Sequence, residues 1–227
     1  MKRATKPGDV IDVFVADCDP MLCQLMAKAI SKCGQGIAIR GFATDPAEFL
    51  AGLAGKTVDV VIIGTDLGGR PGTGFLTLRK LRVSHPQTRV IMLLGPPLRA
   101  DVIEAFRAGA DGIFSRDETF EMLCKCIHAV YKGQVWASSE QLHFIVEALA
   151  SGGSEPTSNT QKLLTQREQE MANWVTEGLT NRQISRRMGV TEHTVRNYLI
   201  RIFNKLGTSN RLELALYVLK ERENRRS

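Results

Sequence analysis

The 227-residue sequence lacks several features that would place it outside the cytosol. No apolar stretch approaches the roughly 20 residues of a membrane span. The N-terminus is basic, but its first apolar run, at 10–16, is short and contains Asp12, unlike a targeting segment. The five cysteines are odd in number and show no CxxC spacing, so they do not suggest a disulfide framework. We expect a cytoplasmic protein with no membrane partner.

Charge is distributed unevenly along the chain. The net charge is +6, yet residues 1–155 carry seventeen basic and seventeen acidic side chains, whereas residues 156–227 carry thirteen basic and seven acidic ones. A hydrophobic content of 43% excludes a disordered chain, and the length fits two compact domains. A neutral part followed by a basic part predicts that the second domain binds a polyanion and the first does not.

The neutral part alternates strand and helix patterns. Apolar, β-branched runs predict five strands, at 10–16, 37–42, 58–63, 90–94 and near 113. Helical patterns lie between and after them, at 21–30 (stopping at Gly34), 75–83, 100–107 and 118–131, with a further helix start at Asp45, Pro46 and Glu48. This alternation predicts an α/β fold with a doubly wound parallel sheet, which binds ligands at the carboxyl ends of its strands.

The rest of the chain is predicted to form a linker and a small all-α domain. Residues 151–160 contain no large apolar side chain, as is typical of a linker. Thr165 with Glu168, and Thr180 with Gln183, have the spacing of capping boxes. Four helices are predicted, at 166–177, 181–188, 192–205 and 210–223. We divide the chain into an α/β domain (1–135), a helical extension and linker (136–162) and an all-α domain (163–227).

Residues 181–205 have the spacing of a helix-turn-helix, with a turn at Gly189 and a longer second helix capped by Thr191. An apolar stripe on this second helix predicts one buried face. The opposite face carries Arg and Asn, which can pair with guanine and adenine edges; it comprises His193, Arg196, Asn197, Ile200, Arg201 and Asn204. Side chains near helix N-termini are expected to hold phosphates, namely Thr180, Asn181, Arg182 and Thr194. A merely solvated helix face would explain any one of these residues, but not the whole set.

Four segments resemble the LuxR-type helix-turn-helix of bacterial regulators: LTQRE at 164–168, EGLTN at 177–181, VTEHTV at 190–195 and IFNKLG at 202–207. The resemblance implies that the second helix of the motif lies in the major groove. Arg196, Asn197 and Ile200 would then read bases, with Tyr198, Arg201 and Lys205 nearby. It also implies a dimerisation helix, to which we assign Leu212, Leu216, Val218 and Leu219, and hence a homodimer on double-stranded DNA with two-fold symmetry.

The α/β domain resembles the receiver domain of NarL/FixJ-class response regulators, a flavodoxin-like fold, in segments 13–20, 59–67 and 105–112. In such receivers an Asp at the end of the third strand accepts phosphate beside a Mg²⁺ ion held by acidic side chains. The resemblance makes Asp17 and Asp19 the candidate metal ligands, with Cys18 in place of the usual second acid. If they do not bind metal, both are expected to cap the first helix.

The phosphate-accepting residue and its surroundings depart from the receiver pattern. The commonest spacing puts Gly64 at the acceptor position, while counting back from Gly74 gives Asp66, our expected acceptor. Leu94 stands where the family has a switch Ser or Thr, and Arg116 where it has a Lys. Because Leu94 cannot hydrogen-bond a phosphoryl oxygen, we predict weak or absent phosphorylation control, and Mg²⁺ only if the pocket is functional.

We therefore interpret the sequence as a cytoplasmic bacterial transcription regulator that is not an enzyme. A sensor histidine kinase or another regulatory protein is the expected input partner. One alternative is a conventional phosphorylation-activated regulator with Asp66 as acceptor. An alternative of another class is a haloacid-dehalogenase-like phosphohydrolase that uses Asp17 as nucleophile and Asp19 as acid/base.

Overall fold

A computed structural model describes residues 10–32, 36–96, 98–151, 164–208 and 210–224. The helix stop predicted at Gly34 and nearly all of the predicted linker lie outside these ranges. In the described part of the chain, no helix is both long and apolar enough to cross a membrane.

Five apolar segments form one parallel sheet in the order β2-β1-β3-β4-β5. The strands are β1 (Ile11–Ala16), β2 (Ile37–Ala43), β3 (Val60–Gly64), β4 (Arg89–Leu94) and β5 (Gly112–Ser115). Every residue of β1, β3, β4 and β5 is buried, because helices cover both faces of the sheet. The predicted doubly wound α/β fold is confirmed.

Five helices surround the sheet: α1 (Pro20–Lys32), α2 (Pro46–Leu53), α3 (Thr73–Ser84), α4 (Arg99–Ala108) and α5 (Phe120–Tyr131). The predicted start of α2 is correct, since the Asp45 carboxylate accepts hydrogen bonds from the amides of Ala47 and Glu48 at 2.8 and 2.9 Å. Two apolar clusters lie on opposite sides of the sheet. One includes Phe49 and Phe106, and the other includes Ile30 and Ile127.

The chain after α5 packs back onto the α/β domain. Trp136 pairs with the start of β5, where the Ile113 amide donates to the Trp136 carbonyl at 2.8 Å. Helix α6 (Ser139–Ser151) then lies against α4. Ile145 of α6 is buried in the cluster that contains Phe106.

The C-terminal domain consists of the four predicted helices: α7 (Gln166–Thr176), α8 (Asn181–Met188), α9 (Glu192–Leu206) and α10 (Arg211–Asn224). Both predicted capping boxes form, at Thr165 with Glu168 and at Thr180 with Gln183. The turn between α8 and α9 depends on Gly189, whose φ of 66° is rarely adopted by residues with a side chain. These helices enclose an apolar core of their own.

Candidate nucleic-acid interface and receiver pocket

Helix α9 buries the apolar stripe that the sequence predicted. Val195, Leu199 and Ile202 point into the core of the C-terminal domain. Because they occupy one side of the helix, the side that carries Arg196 and Asn197 faces away from that core. The candidate base-reading residues therefore share one face of a helix whose position is fixed by its own packing.

This candidate reading face contacts the α/β domain. The Gln87 side-chain amide, between α3 and β4, donates to Asn197 Oδ1 at 2.7 Å. Arg196 Nη2 donates to the Tyr131 carbonyl at 3.2 Å, and its guanidinium lies 5.1 Å from the centre of the Tyr131 ring. The first domain thus occupies two of the three residues predicted to read bases.

The N-terminal part of α10 also contacts the α/β domain. The side-chain amide of Asn210 donates to the Phe106 carbonyl of α4 at 2.7 Å, and its oxygen accepts from the Glu213 amide at 2.9 Å. Leu212 and Leu216, two of the candidate dimerisation residues, pack against the apolar cluster of the α/β domain. The same arrangement therefore covers part of the candidate dimerisation helix.

The other two candidate dimerisation residues differ in exposure. Val218 is only 5% exposed and belongs to the core of the C-terminal domain, whereas Leu219 is 44% exposed. A side chain in that core cannot meet a second subunit without unpacking the domain. Of these two residues, only Leu219 is available on the surface.

The remaining candidate DNA-binding residues lie on or beside α8 and α9. They differ in their side-chain contacts and in their exposure to solvent. The Thr180 hydroxyl caps α8, and the Lys205 ammonium pairs with Glu168 at 2.6 Å. Arg201 lies 5.9 Å from the Tyr198 ring centre. Arg182 and His193 are exposed, Thr194 and Ile200 are partly exposed, and Asn181 is buried.

The receiver pocket is closed by an internal ion pair at the carboxyl ends of β1 and β5. Asp17 is fully buried and accepts a hydrogen bond from the Arg116 guanidinium. A Cβ atom built on Gly64, at the end of β3, would overlap Asp17 Oδ2 and lie 3.0 Å from Arg116 Nη2. The Asp17–Arg116 pair thus takes the space of a side chain at position 64, and the neighbouring Leu94 is buried and apolar.

The candidate metal ligands and phosphate acceptor have other partners. Asp19 accepts from the amides of Met21 and Leu22 at 2.8 and 3.2 Å, so it caps α1. Asp66 is exposed and accepts from the Gly72 amide at 3.2 Å. In the described ranges no group of three or more His, Cys, Asp or Glu side chains could hold a metal ion. With Asp17 bound to a guanidinium, these residues do not fit a Mg²⁺ site.

The sequence-based candidates did not include several residues at the contact between the domains, among them Gln87, Tyr131 and Asn210. Gln87 and Tyr131 lie 110 and 65 residues from their partners on α9. No periodicity or motif spacing links residues so far apart. The cap that Asn210 supplies to α10 was the one local signal available.

Comparisons with known proteins agree with the two-domain arrangement. The family model "Response regulator receiver domain" matches residues 13–128, and "Bacterial regulatory proteins, luxR family" matches residues 162–218. Nitrate/nitrite response regulator protein NarL of Escherichia coli (strain K12) is 27% identical over 210 residues, which cover 92% of this chain and 95% of NarL. Oxygen regulatory protein NreC of Staphylococcus aureus (strain MRSA252) is 29% identical over 168 residues, which cover 72% of this chain and 76% of NreC.

Solved structures share the fold at lower identity. A structure of two RcsB dimers bound to two parallel DNAs has a TM-score of 0.55 and 17% identity, covering 93% of this chain and 98% of that one. A LuxR-family two-component response regulator from Aurantimonas sp. SI85-9A1 also has a TM-score of 0.55, with 22% identity, covering 63% of this chain and 100% of that one.

Proposed function

Because this chain belongs to the bacterial response regulators of the NarL/FixJ class, with a receiver domain and a LuxR-type DNA-binding domain, it is a transcription regulator, and we propose that it binds a two-fold DNA site through α9. The observation that carries the proposal is the face of α9 that points away from the core of its own domain. Arg196, Asn197 and Ile200 share this face, and their side chains match guanine, adenine and the thymine methyl group.

Residues around the reading face anchor the DNA backbone in this proposal. Arg182 is exposed beside the N-terminus of α8, and Thr194 lies in the first turn of α9. Amides and hydroxyls at such positions hold phosphates and fix the orientation of the helix in the groove. His193 and Arg201, both exposed on α9, supply further contacts.

Two copies of the chain pair through α10. Leu212, Leu216 and Leu219 form the dimer contact, and Val218 supports it from inside the domain. The RcsB structure, in which dimers are bound to DNA, supports the binding of DNA by a dimer. The proposed domain bounds are 1–135 for the receiver, 136–162 for the extension and linker, and 163–227 for the DNA-binding domain.

DNA and the receiver compete for α9. A base edge cannot reach Asn197 while the receiver, through Gln87, lies against its side chain, and Arg196 is held at Tyr131. Since Leu212 and Leu216 also lie against the receiver, separating the two domains frees the reading face and the dimer contact together. Separation of the domains is therefore the controlled step, and the apparent DNA affinity depends on the fraction of open molecules.

Phosphorylation exerts weak control or none in this proposal. Gly64 has no carboxylate, and Arg116 is already neutralised by Asp17. The input is instead a regulatory protein that binds the receiver and separates the domains. A sensor histidine kinase is the partner only if Asp66 accepts phosphate. Because DNA is the target, the protein acts in the cytoplasm.

The protein is not an enzyme in this proposal, and its relatives NarL and NreC carry the names of regulators. A phosphohydrolase would need Asp17 as nucleophile, but this carboxylate is buried and bound to Arg116. A phosphatase assay comparing the wild type with Asp17→Asn tests this point. Hydrolysis that disappears in the variant would contradict it.

Genome-wide footprinting of the full-length protein tests the DNA-binding proposal. We expect protected sites with two related half-sites, centred 10 to 10.5 base pairs apart or a multiple of that spacing. The same sites should appear with and without a small phosphodonor. Protection without any shared sequence would contradict reading by α9.

A further inference from the structure

The contact between the domains lies at the edge of the sheet where the strands begin. Asp59 directly precedes β3, Arg89 begins β4 and Asp111 directly precedes β5. In a parallel sheet this edge is opposite to the carboxyl ends, where the Asp17–Arg116 pair lies. The edge that meets the DNA-binding domain is therefore chemically separate from the receiver pocket.

The DNA-binding domain brings three nitrogen-rich side chains to this edge. Arg196 stacks on Tyr131, as described above. Asn181 lies against Gly133, where an added Cβ atom would be only 2.8 Å from Asn181 Oδ1. Arg211 donates to the same oxygen at 3.5 Å. Asn181, Arg196 and Arg211 therefore meet the receiver together.

Positive charge exceeds negative charge at this contact. Burial and then the charge of Arg89 lower the pKa of Arg196, and the same two causes lower the pKa of Arg211 to about 10. Asp59 and Asp111 offset part of the charge, but Asp111 is already bound to Arg89 at 2.7 Å. Arg82 also binds Asp111, at 2.6 Å. Four guanidinium groups thus share two carboxylates in a region largely shielded from water, where an uncompensated charge is costly.

Several side-chain hydrogen-bond donors of residues at this contact lack an acceptor. Arg89 Nε, Asn181 Nδ2 and Arg196 Nε are buried and have no acceptor among the described residues. Arg89 is 8% exposed and Asn181 is 1% exposed. All three atoms donate, and they come from β4, α8 and α9. Buried donors are normally paired, so this set matches a ligand that is anionic and rich in acceptors.

We propose that the contact between the two domains binds a small oxyanion of the phosphate class, held by Arg89 of the receiver and by Asn181 and Arg196 of the DNA-binding domain. Asn181 is the first residue of α8, so the N-terminus of that helix adds its partial positive charge. A tetrahedral oxyanion offers acceptors in several directions, which suits donors that arrive from three elements.

The anion holds the protein in its closed form. Because it needs groups from both domains, it binds the closed arrangement and not the open one, so it shifts the equilibrium towards closure by mass action. At an anion concentration ten times the dissociation constant, we expect the apparent DNA affinity to fall about tenfold. This effect rests on the proposed competition between the receiver and DNA, whereas anion binding itself does not.

The test titrates inorganic phosphate into the full-length protein, with chloride at equal ionic strength as reference and sulfate as a second oxyanion. Thermal unfolding is followed without DNA, and operator affinity is measured separately. We expect phosphate and sulfate to raise the melting temperature and weaken DNA binding more than chloride does. Equal effects of all three salts would overturn the proposal.

Three variants decide whether the response belongs to this site. Arg89→Lys keeps the charge beside Asp111 but removes Nε, and Arg89→Gln removes the charge. In both, the melting temperature should rise less with phosphate, relative to chloride, than it does in the wild type, and if Arg89→Gln does not fold, Arg89→Lys decides. The matched control is Arg40→Lys, whose arginine pairs with Asp12 at 2.7 Å; it should keep the response. An unchanged response in Arg89→Lys would overturn the proposal.

Failure of the proposed function has a different signature. A protein that binds no DNA in any salt would contradict the proposed function. Phosphate and sulfate stabilise many proteins more than chloride does, so the deciding thermal comparison is that of the wild type with Arg89→Lys. This comparison needs no DNA, so it would still decide whether the oxyanion site exists.

Discussion

Asn197 on α9 accepts a hydrogen bond of 2.7 Å from Gln87, a residue of the receiver that lies 110 positions earlier in the chain. Asn197 is one of the residues that the sequence assigns to adenine recognition. A base edge in the groove cannot reach Asn197 while the receiver, through Gln87, lies against that side chain. A single side-chain contact thus links the conformation of the receiver to the availability of the reading face.

Gln87→Ala should increase operator affinity. A typical hydrogen bond contributes roughly 0.5 to 1.5 kcal/mol, so its loss in the closed form should lower the dissociation constant by about two- to tenfold. The measurement is a binding titration with full-length protein. Gln24→Ala on the exposed side of α1 is the matched control and should bind like the wild type. Unchanged affinity in Gln87→Ala would show that this contact does not restrain DNA binding.

Arg196→Ala should relax base preference at one position of the site. If Arg196 pairs with a guanine edge, its loss costs about 1 to 3 kcal/mol of discrimination there. Titrations against single-base variants of the operator measure this discrimination. They also separate it from the loss of the Tyr131 contact, which would affect all sequences equally. A uniform change across every site variant would place Arg196 outside the groove.

A small phosphodonor with Mg²⁺ should not phosphorylate the protein stoichiometrically. Asp17 is bound to Arg116, and Gly64 leaves the end of β3 without a carboxylate. Phosphate-affinity electrophoresis of the wild type and of Asp66→Asn measures the modification. Stoichiometric labelling that disappears in Asp66→Asn would make the conventional phosphorylation mechanism correct.

Gly64→Ala should destabilise the receiver by about 1 to 3 kcal/mol, the usual cost of overpacking a buried site. The added Cβ atom overlaps Asp17 Oδ2, so the ion pair with Arg116 must move. Gly95→Ala is the control, because a Cβ atom there has no neighbour within 4 Å. Denaturant unfolding compares the two variants. Equal stability would show that the pocket has room for a side chain at position 64.

Asp111→Asn should destabilise the protein by about 3 to 5 kcal/mol at neutral pH, because it leaves buried arginines without their partner. Asp111 lies 2.6 Å from Arg82 and 2.7 Å from Arg89. Burial alone would raise the pKa of Asp111, but Arg89 and Arg82 outweigh it and lower the pKa below its ordinary value.

The direction of this pKa shift determines how Asp111 makes the stability of the wild type depend on pH, a dependence that Asp111→Asn lacks. The folded protein binds the Asp111 proton more weakly than the unfolded chain does. The stabilisation is therefore complete above the unfolded-state pKa of about 3.9 and is lost as the pH falls through the lower folded-state value. Unfolding free energy should fall less steeply in Asp111→Asn than in the wild type below about pH 4. Exposed Asp117→Asn serves as control, and parallel acid profiles for Asp111→Asn and the wild type would refute this account.

Much of the fold follows from local patterns. The start of α2 is specified by Asp45 and Pro46, and the capping box of α7 by Thr165 and Glu168, because these bonds join residues within one turn of a helix. The buried stripe of α9 follows from its 3.6-residue period. These signals span few residues and need no knowledge of the rest of the chain.

The candidate sites were predicted less completely. The sequence identified Arg196 and Asn197, but not the residues that cover them. It placed Val218 in a dimer contact, whereas the packing of α10 turns this side chain into the core. It recognised Asp17 and Arg116 as pocket residues, but their mutual ion pair depends on the adjacent ends of two strands that are 99 residues apart in the chain.

The sequence by itself determined the two modules, their helices and strands, and the chemical types on the face of α9, because capping, periodicity and composition act over short distances. Only the tertiary structure decided which of these groups are already bound. Gln87 with Asn197, Tyr131 with Arg196, and Asp17 with Arg116 meet because whole elements pack together. Such contacts depend on the packing of the entire chain, and no local pattern encodes them.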